Sequence, residues 1–178
     1  MPATPERPSP QIGLVPATLD QEPVLANLLE LYAHDFSEFH PIDLHANGRF
    51  GYKNLSRYWN QIDHHPFLVQ VDGKLAGFVF VKKGSEISGN ASAWDVQEFF
   101  IVRAYRRRGI GISVAHQVWK RFAGPGVVRV MESNRAALNF WQQTIKRFIG
   151  TPIDPAETMK GGETWYLFSF ECKRSIKE

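Results

Sequence analysis

The stretch that decides the fold is Glu98-Phe99-Phe100-Ile101-Val102-Arg103-Ala104-Tyr105-Arg106-Arg107-Arg108-Gly109-Ile110-Gly111. It starts as an acid followed by a strand-sized apolar run and ends as a basic loop bearing two glycines. Ile112, Ala115, Trp119 and Phe122 then fall on one face of a helix. A helix start offers unpaired backbone N–H groups and the positive end of a dipole, a ready anion site. Gly109 and Gly111 allow the backbone to approach a phosphate with no Cβ in the way. Arg106, Arg107 and Arg108 add charge-assisted donors. The combination suits a pyrophosphate.

Three phosphate loops compete for this reading. A P-loop requires G-x-x-x-x-G-K followed by Ser or Thr, and no such string occurs, which argues against a kinase or ATPase. A dinucleotide fingerprint, G-x-G-x-x-G, meets Val114 at its third glycine, although Glu132 ends the next strand roughly where a ribose-binding acid would stand. Against it, the motif lies mid-chain with too few strands around it for a doubly wound sheet. The third pattern, Gln/Arg-x-x-Gly-x-Gly/Ala, fits Arg106, Gly109 and Gly111.

Working outward, Ile12–Val15 reads as a first strand. Thr18-x-x-Gln21 resembles a capping box ahead of Leu25, Leu28, Leu29 and Tyr32 at helical spacing. Residues 36–54 show no single period, and a short second helix is expected around Leu55–Trp59. Phe67–Val71 and Leu75–Val81 flank Asp72-Gly73, a strong hairpin signal. Residues 84–93 read as a polar connection before a strand at Val96–Val102. Gly124-Pro125-Gly126 stops the helix that follows the basic loop. Val127–Met131 is another strand, Ser133 or Asn134 caps a helix carrying Ala137, Leu138, Trp141 and Ile145, and Glu163–Glu171 has strand character. The order β-α-α-β-β-β-α-β-α-β predicts a mixed α/β, α+β-like domain without internal repeats.

Gross features narrow the class. The chain has 178 residues, 43% hydrophobic and 22% charged, enough for one packed domain and unlike a disordered protein. No apolar run approaches the roughly 20 residues of a membrane span. Residues 1–10 hold four prolines and no apolar core, and read as a flexible tail ahead of a single domain at 11–178. The lone Cys172 allows no internal disulfide and points to a reducing cytoplasm. The net charge of +3 conceals an asymmetry. Residues 18–65 hold seven acids against three bases, whereas 100–150 hold ten bases against Glu132 alone. A basic second half suits a polyanionic ligand and an acidic first half a cationic one, with solvated surface as the competing explanation. Nucleic-acid binding through the basic 103–135 segment lacks a recognisable reader motif.

The flanks make the loop specific. Glu98 to Arg106 ahead of it, with Asn134-x-x-Ala137-x-x-Phe140-Trp141 behind, resemble the GNAT superfamily of N-acetyltransferases, most sharply over about 94–145. The resemblance implies a central, mostly antiparallel sheet splayed at strand 4, with flanking helices and the pantetheine arm of acetyl-CoA lying in the gap. It implies that Phe100, Ile101 and Val102 bond the pantetheine through their backbone. It also implies that Arg107, Arg108, Gly109, Ile110, Gly111 and Ile112 hold the pyrophosphate by their N–H groups, with Arg106 adding charge. Asn134 matches a family asparagine that bonds the coenzyme, or is a plain helix cap. The implied chemistry is attack of a neutral primary amine on the thioester, with an N–H near Ile101 stabilising the oxyanion.

Glu98 is the candidate base. On a regular strand Val96, Glu98, Phe100 and Val102 share one face, where apolar neighbours would raise a carboxyl pKa. A structural carboxylate is the alternative. Many relatives carry a tyrosine, often proposed as the acid, where this chain has Phe140-Trp141. That vacancy leaves Tyr166 or Tyr105 as substitutes and keeps a catalytically silent acyl-CoA-binding module in view. His34, His40, His45, His64 and His65 do not have convincing metal spacing, and no metal is expected. Their region, with Phe36, Phe39, Phe50, Tyr52 and Trp59, is a candidate rim for a small-molecule amine acceptor, or aromatic packing under loops. The expected partners are acetyl-CoA and that amine, with no nucleic acid or membrane. Oligomeric state is open, a homodimer included.

Overall fold

The computed structural model describes residues 9–173. Most of the proline-rich tail, residues 1–8, lies outside them. The elements run β1 (Ile12–Pro16), α1 (Glu22–Phe36), α2 (Arg57–Asn60), β2 (His64–Val71), β3 (Lys74–Ser85), β4 (Asn90–Ile101), α3 (Ile110–Arg121), β5 (Gly124–Met131), α4 (Arg135–Ile149), β6 (Ala156–Lys160) and β7 (Glu163–Cys172). The seven strands form one sheet in the order β1-β2-β3-β4-β5-β7-β6. Every neighbouring pair is antiparallel except β4 with β5, which the α3 crossover makes parallel.

Local chemistry accounts for most of these elements. The N–H of Thr18 donates to Gln21 Oε1 in a 3-10 turn that leads into α1. Pro23 sits in the first turn of α1, where its missing N–H costs nothing. Leu25, Leu28 and Leu29 bury the inner face of that helix. Asp72 and Gly73 both take positive φ (50° and 74°), the type I′ hairpin geometry that their pairing predicts. Asn134 caps α4 by accepting the Ala137 N–H at 3.0 Å.

Three sequence readings need correction. Residues 84–93 are mostly strand, and the turn between β3 and β4 is only 86–89. The exposed Asn90, Ala91 and Ser92 have no alternation to reveal a strand. The basic-loop helix starts at Ile110 rather than Ile112. β6 is an extra edge strand whose residues are mostly exposed, so it lacks a hydrophobic pattern. Its signal was Gly161-Gly162, a two-residue turn with both φ positive.

The sheet divides two cores. α3 and α4 cover one face with Val114, Val118, Trp119, Trp141 and Ile145. α1 and α2 cover the other, where Leu25, Leu29 and Tyr58 pack on Phe78, Phe80 and Phe100. β3 and β4 approach closely between these layers at Gly77. A Cβ there would lie 2.0 Å from the Phe100 carbonyl oxygen, a backbone atom that cannot move aside. Gly77→Ala is therefore expected to cost about 3 kcal/mol, measured by denaturant unfolding. Gly13→Ala is the control: its Cβ meets nothing closer than 3.8 Å, so it should shift stability by no more than about 0.5 kcal/mol.

Candidate active site

β4 and β5 pair at only three rungs, Trp94–Gly126, Asp95–Val127 and Val96–Val128, and then diverge. Two features set this fork. Phe80 pairs with Glu98 while Val81 pairs with Val96, leaving Gln97 as a bulge that bends β4. At the throat, Arg129 Nη1 donates to Asp95 Oδ2 at 3.1 Å, tying β5 to β4, and Asp95 is fully buried. The bulge also corrects the expected strand face. Val96 packs with the α3–α4 core and Phe100 with the α1 core, because the extra residue breaks the two-residue alternation.

Past the fork, β4 has an edge with no strand partner. The Val102 N–H donates to the Ala76 carbonyl at 2.9 Å, and the Val102 carbonyl accepts the Tyr105 N–H. Alternation turns the Phe100 backbone groups toward β3 as well, leaving Phe99 and Ile101 facing the gap. The Ile101 carbonyl is taken by Arg106 Nε at 2.6 Å. Of Phe100, Ile101 and Val102, only Ile101 thus presents a free N–H to the gap. Phe99, which the motif did not single out, presents both its groups.

The basic loop divides its arginines between structure and solvent. Arg106 bonds Ile101 and Asp35, and Arg103 holds the same carboxylate through Nε (3.1 Å) and Nη2 (2.6 Å), so the end of α1 is fastened to the end of β4. Arg107 and Arg108 are exposed, with Arg108 over the Tyr105 ring. Arg107 and Gly109 both adopt positive φ (61° and 74°). Ser113 donates to the Gly109 carbonyl, and the N–H groups of Ile110, Gly111 and Ile112 head the helix without intrahelical partners. The Ile110 side chain is buried in the core. A Cβ on Gly109 would meet open space, so this position can face a ligand. On Gly111 it would meet the Phe140 ring at 3.2 Å, so the absence of a side chain there serves the α3–α4 contact.

A cavity of about 590 Å³ runs through the fork. Asn134, Ala137 and Trp141 line it beside α4; Tyr32, Phe36, Phe50 and Tyr52 line it beside α1; Glu98 and Arg129 lie between. Tyr52 donates its hydroxyl to Glu98 Oε1 at 3.1 Å and lies 3.4 Å from the Tyr58 hydroxyl. Arg57 Nη2 donates to both tyrosines. Burial raises the Glu98 carboxyl above its ordinary range, although the Tyr32 and Tyr52 hydroxyls and the Arg129 and Arg57 charges pull it partly back. Burial and the nearby Glu98 charge raise Tyr32 and Tyr52, which therefore stay protonated as donors.

Around this centre the aromatic expectations separate. Phe36, Phe50 and Tyr52 line the cavity. Trp59 donates to the Ala17 carbonyl and packs in the α1 core, and Phe39 accepts Ser133 Oγ through its carbonyl. Trp141 is buried against Phe99, Phe140 and Trp119. Tyr166 lies under Arg135 and Tyr105 under Arg108, neither on the cavity wall. The tyrosines that line the cavity are Tyr32 and Tyr52. Tyr32 sat in a helical stripe that read as core, and Tyr52 in a stretch without period. Of the histidines, His45 reaches the cavity, whereas His64 bonds Asp63 at 3.0 Å and His65 packs on Trp94 and Phe122. Among the described residues no three His, Cys, Asp or Glu gather as a metal site.

Comparison with known proteins decides the family. The family described as acetyltransferase (GNAT) matches residues 25–145. The chain belongs to the GNAT acetyltransferases. An acetyltransferase from Thermus thermophilus superposes with a TM-score of 0.63 at 18% identity, covering 89% of this chain and 97% of that one. Arabidopsis thaliana NAA60 in complex with acetyl-CoA gives 0.58 at 19%, covering 90% and 98%. The Vibrio cholerae spermidine N-acetyltransferase SpeG gives 0.62 at 10%, covering 90% and 94%. No curated protein matches the sequence. In this GNAT chain, as expected, the sheet opens beside its fourth strand. No helix among the described residues is long and apolar enough to cross a membrane.

Two outcomes follow from the geometry. Tyr52→Phe removes a donor to Glu98, so the Glu98 carboxyl titration, followed by NMR on labelled glutamate, should move to higher pH than in the wild type. Asp35 is raised by burial, but Arg103 and Arg106 outweigh this and hold it below its ordinary 3.8. Its stabilisation is present above that value and lost as pH falls through the lowered one. Asp35→Asn should therefore flatten the dependence of unfolding free energy on pH below about 4.

Proposed function

We propose that the enzyme transfers the acetyl group of acetyl-CoA to a primary amine of a small molecule by direct attack on the thioester. One observation carries this reading: the cavity through the fork joins the coenzyme side, at Asn134 and Ala137, to the Glu98 carboxylate on the acceptor side. Acetyl-CoA would lie along the unpaired edge of β4, with the Phe99 and Ile101 backbone bonding the pantetheine amides. The N–H groups from Arg107 to Ile112 would meet the pyrophosphate. Asn134 spends Oδ1 on its cap and has its amide NH2 left for the coenzyme.

The amine nitrogen attacks the thioester carbon, a C–N bond forms, the C–S bond breaks, and the electron pair leaves on sulfur. Glu98 takes the proton released by nitrogen, its raised pKa suiting a base that works near neutrality. The Phe99 carbonyl and the Ile101 N–H serve the pantetheine, which leaves the Phe99 N–H, beside Glu98, to stabilise the oxyanion. Tyr32 or Tyr52, each beside Glu98, would pass a proton to the thiolate while Glu98 hands on the one taken from nitrogen, so that no tyrosinate remains and the role vacated by Trp141 falls to the opposite wall. The silent-module alternative rests on that vacancy, and thiol release that depends on an added amine separates it from the enzyme. Cys172, buried as a free thiol with its pKa pushed up to about 12, fits a reducing cytoplasm.

Calorimetry should show saturable acetyl-CoA binding, weakened by Gly109→Val; absence of binding at millimolar coenzyme would sink the proposal. Glu98→Gln should lower kcat by about 10²–10⁴-fold with little change in acetyl-CoA affinity. An unchanged kcat and pH–rate profile would remove Glu98 from the role.

A further inference from the structure

The cavity holds donors that the transfer chemistry leaves unused. Arg129 lines it from β5, directly after the last rung shared with β4. Its Nη1 bonds Asp95 Oδ2, leaving four of the five guanidinium N–H groups without a partner among the described residues. The side chain is 20% exposed. Asp95 is wholly buried, so it orients the guanidinium while its own charge stays away from the ligand.

Trp165, on β7, is a second donor on this wall. It stands opposite Met131, and Arg129 stands opposite Leu167, which places Trp165 and Arg129 on one face of the β5–β7 pair. The Trp165 Nε1–H is covered and has no acceptor among the described residues, so it meets a ligand once the indole ring turns toward the cavity. Native proteins seldom leave such a donor idle unless a ligand or water completes it. Glu98 projects from the α1 side of β4, and the Arg129 charge acts on both Glu98 and Tyr32. The amine site and these donors therefore share one chamber. Asp43 and Lys53, the other charged residues of the wall, are exposed and screened by solvent.

We propose that the acceptor carries an acidic group beside its amine, bound by Arg129 and the Trp165 indole N–H while Glu98 faces the nitrogen. The acceptor class is then amino acids and related aminocarboxylates, rather than polyamines or simple alkylamines. This rests on the transferase reading above. A guanidinium pairs with a carboxylate by two parallel bonds, and the indole donates a third.

The test compares matched probes in an acetyl-CoA assay that reads free thiol: phenylalanine with phenylalaninamide, leucine with leucinamide, and β-alanine with its amide. Wild-type kcat/KM should favour the acid of at least one pair by roughly tenfold to a hundredfold, the range for a charge-assisted hydrogen bond. Trp165→Phe should reduce that ratio, and Arg129→Gln should bring it to within about twofold. A merely structural role for Arg129 would lower both members of a pair together and leave the ratio intact, which would overturn the proposal. Should Arg129→Gln fail to fold with Asp95 uncompensated, Arg129→Gln with Asp95→Asn removes both charges and must erase the ratio. Calorimetry of the same probes on enzyme saturated with coenzyme A gives a readout independent of turnover, with the acid expected to bind more tightly. Acetylation of amides or simple amines as readily as acids would overturn this inference while leaving the transferase reading standing. No thiol release with any amine would defeat both.

Discussion

The site depends on one constraint: β4 and β5 bond for three rungs and then part. A strand edge inside a protein carries N–H and C=O groups that need partners, and leaving them bare is costly. Here the Gln97 bulge bends β4 away, while the Asp95–Arg129 pair holds the strands together immediately below. The bend opens a slot lined by unpaired backbone groups, and the ion pair limits how far the slot extends. The bulge also turns Glu98 toward the α1 side, so one irregularity makes the gap and aims a carboxylate beside it.

The α1-side wall of the cavity is assembled from segments distant in sequence by charge. Asp35 at the end of α1 gathers Arg103 and Arg106 from the loop after β4. Glu30, five residues earlier, accepts the Phe50 and Gly51 N–H groups at 2.7 and 3.0 Å and so staples the 45–52 loop to the same helix. Tyr52 is brought to Glu98 by that staple. The contrast between an acidic first half and a basic second half is thus partly an internal matter. Several arginines of the second half are matched by acids of the first or by Asp95, while Arg107 and Arg108 stay exposed on the loop.

Much of the architecture was legible because it rests on local signals. Asp72-Gly73 marked a hairpin, Gly124-Pro125-Gly126 a helix stop and Asn134 a cap, and each works within a few residues of itself. What escaped was non-local. β6 is an exposed edge strand with no apolar stripe, and 84–93 is a pair of strand ends whose small and polar residues show little apolar alternation. Val96 changed face because a bulge depends on how β3 pairs with β4. Gly111 read as a phosphate glycine, yet its missing Cβ makes room for Phe140 on a later helix. Arg106 read as phosphate charge and is spent on Ile101 and Asp35.

The sequence by itself determined that a strand, a basic glycine loop and a helix stand in a row at 98–122, because periodicity and glycine placement act through nearest neighbours. From that came the expectation of a pyrophosphate loop, while coenzyme A and the role of Glu98 as base came with the resemblance to the GNAT superfamily. Only the tertiary structure decided that the strand edge is open at Phe99 and Ile101, that the hydroxyls near Glu98 come from Tyr32 and Tyr52, and that Arg129 and Trp165 share their chamber. These are juxtapositions across long stretches of chain, set by sheet register and buried charge, and no local pattern encodes them.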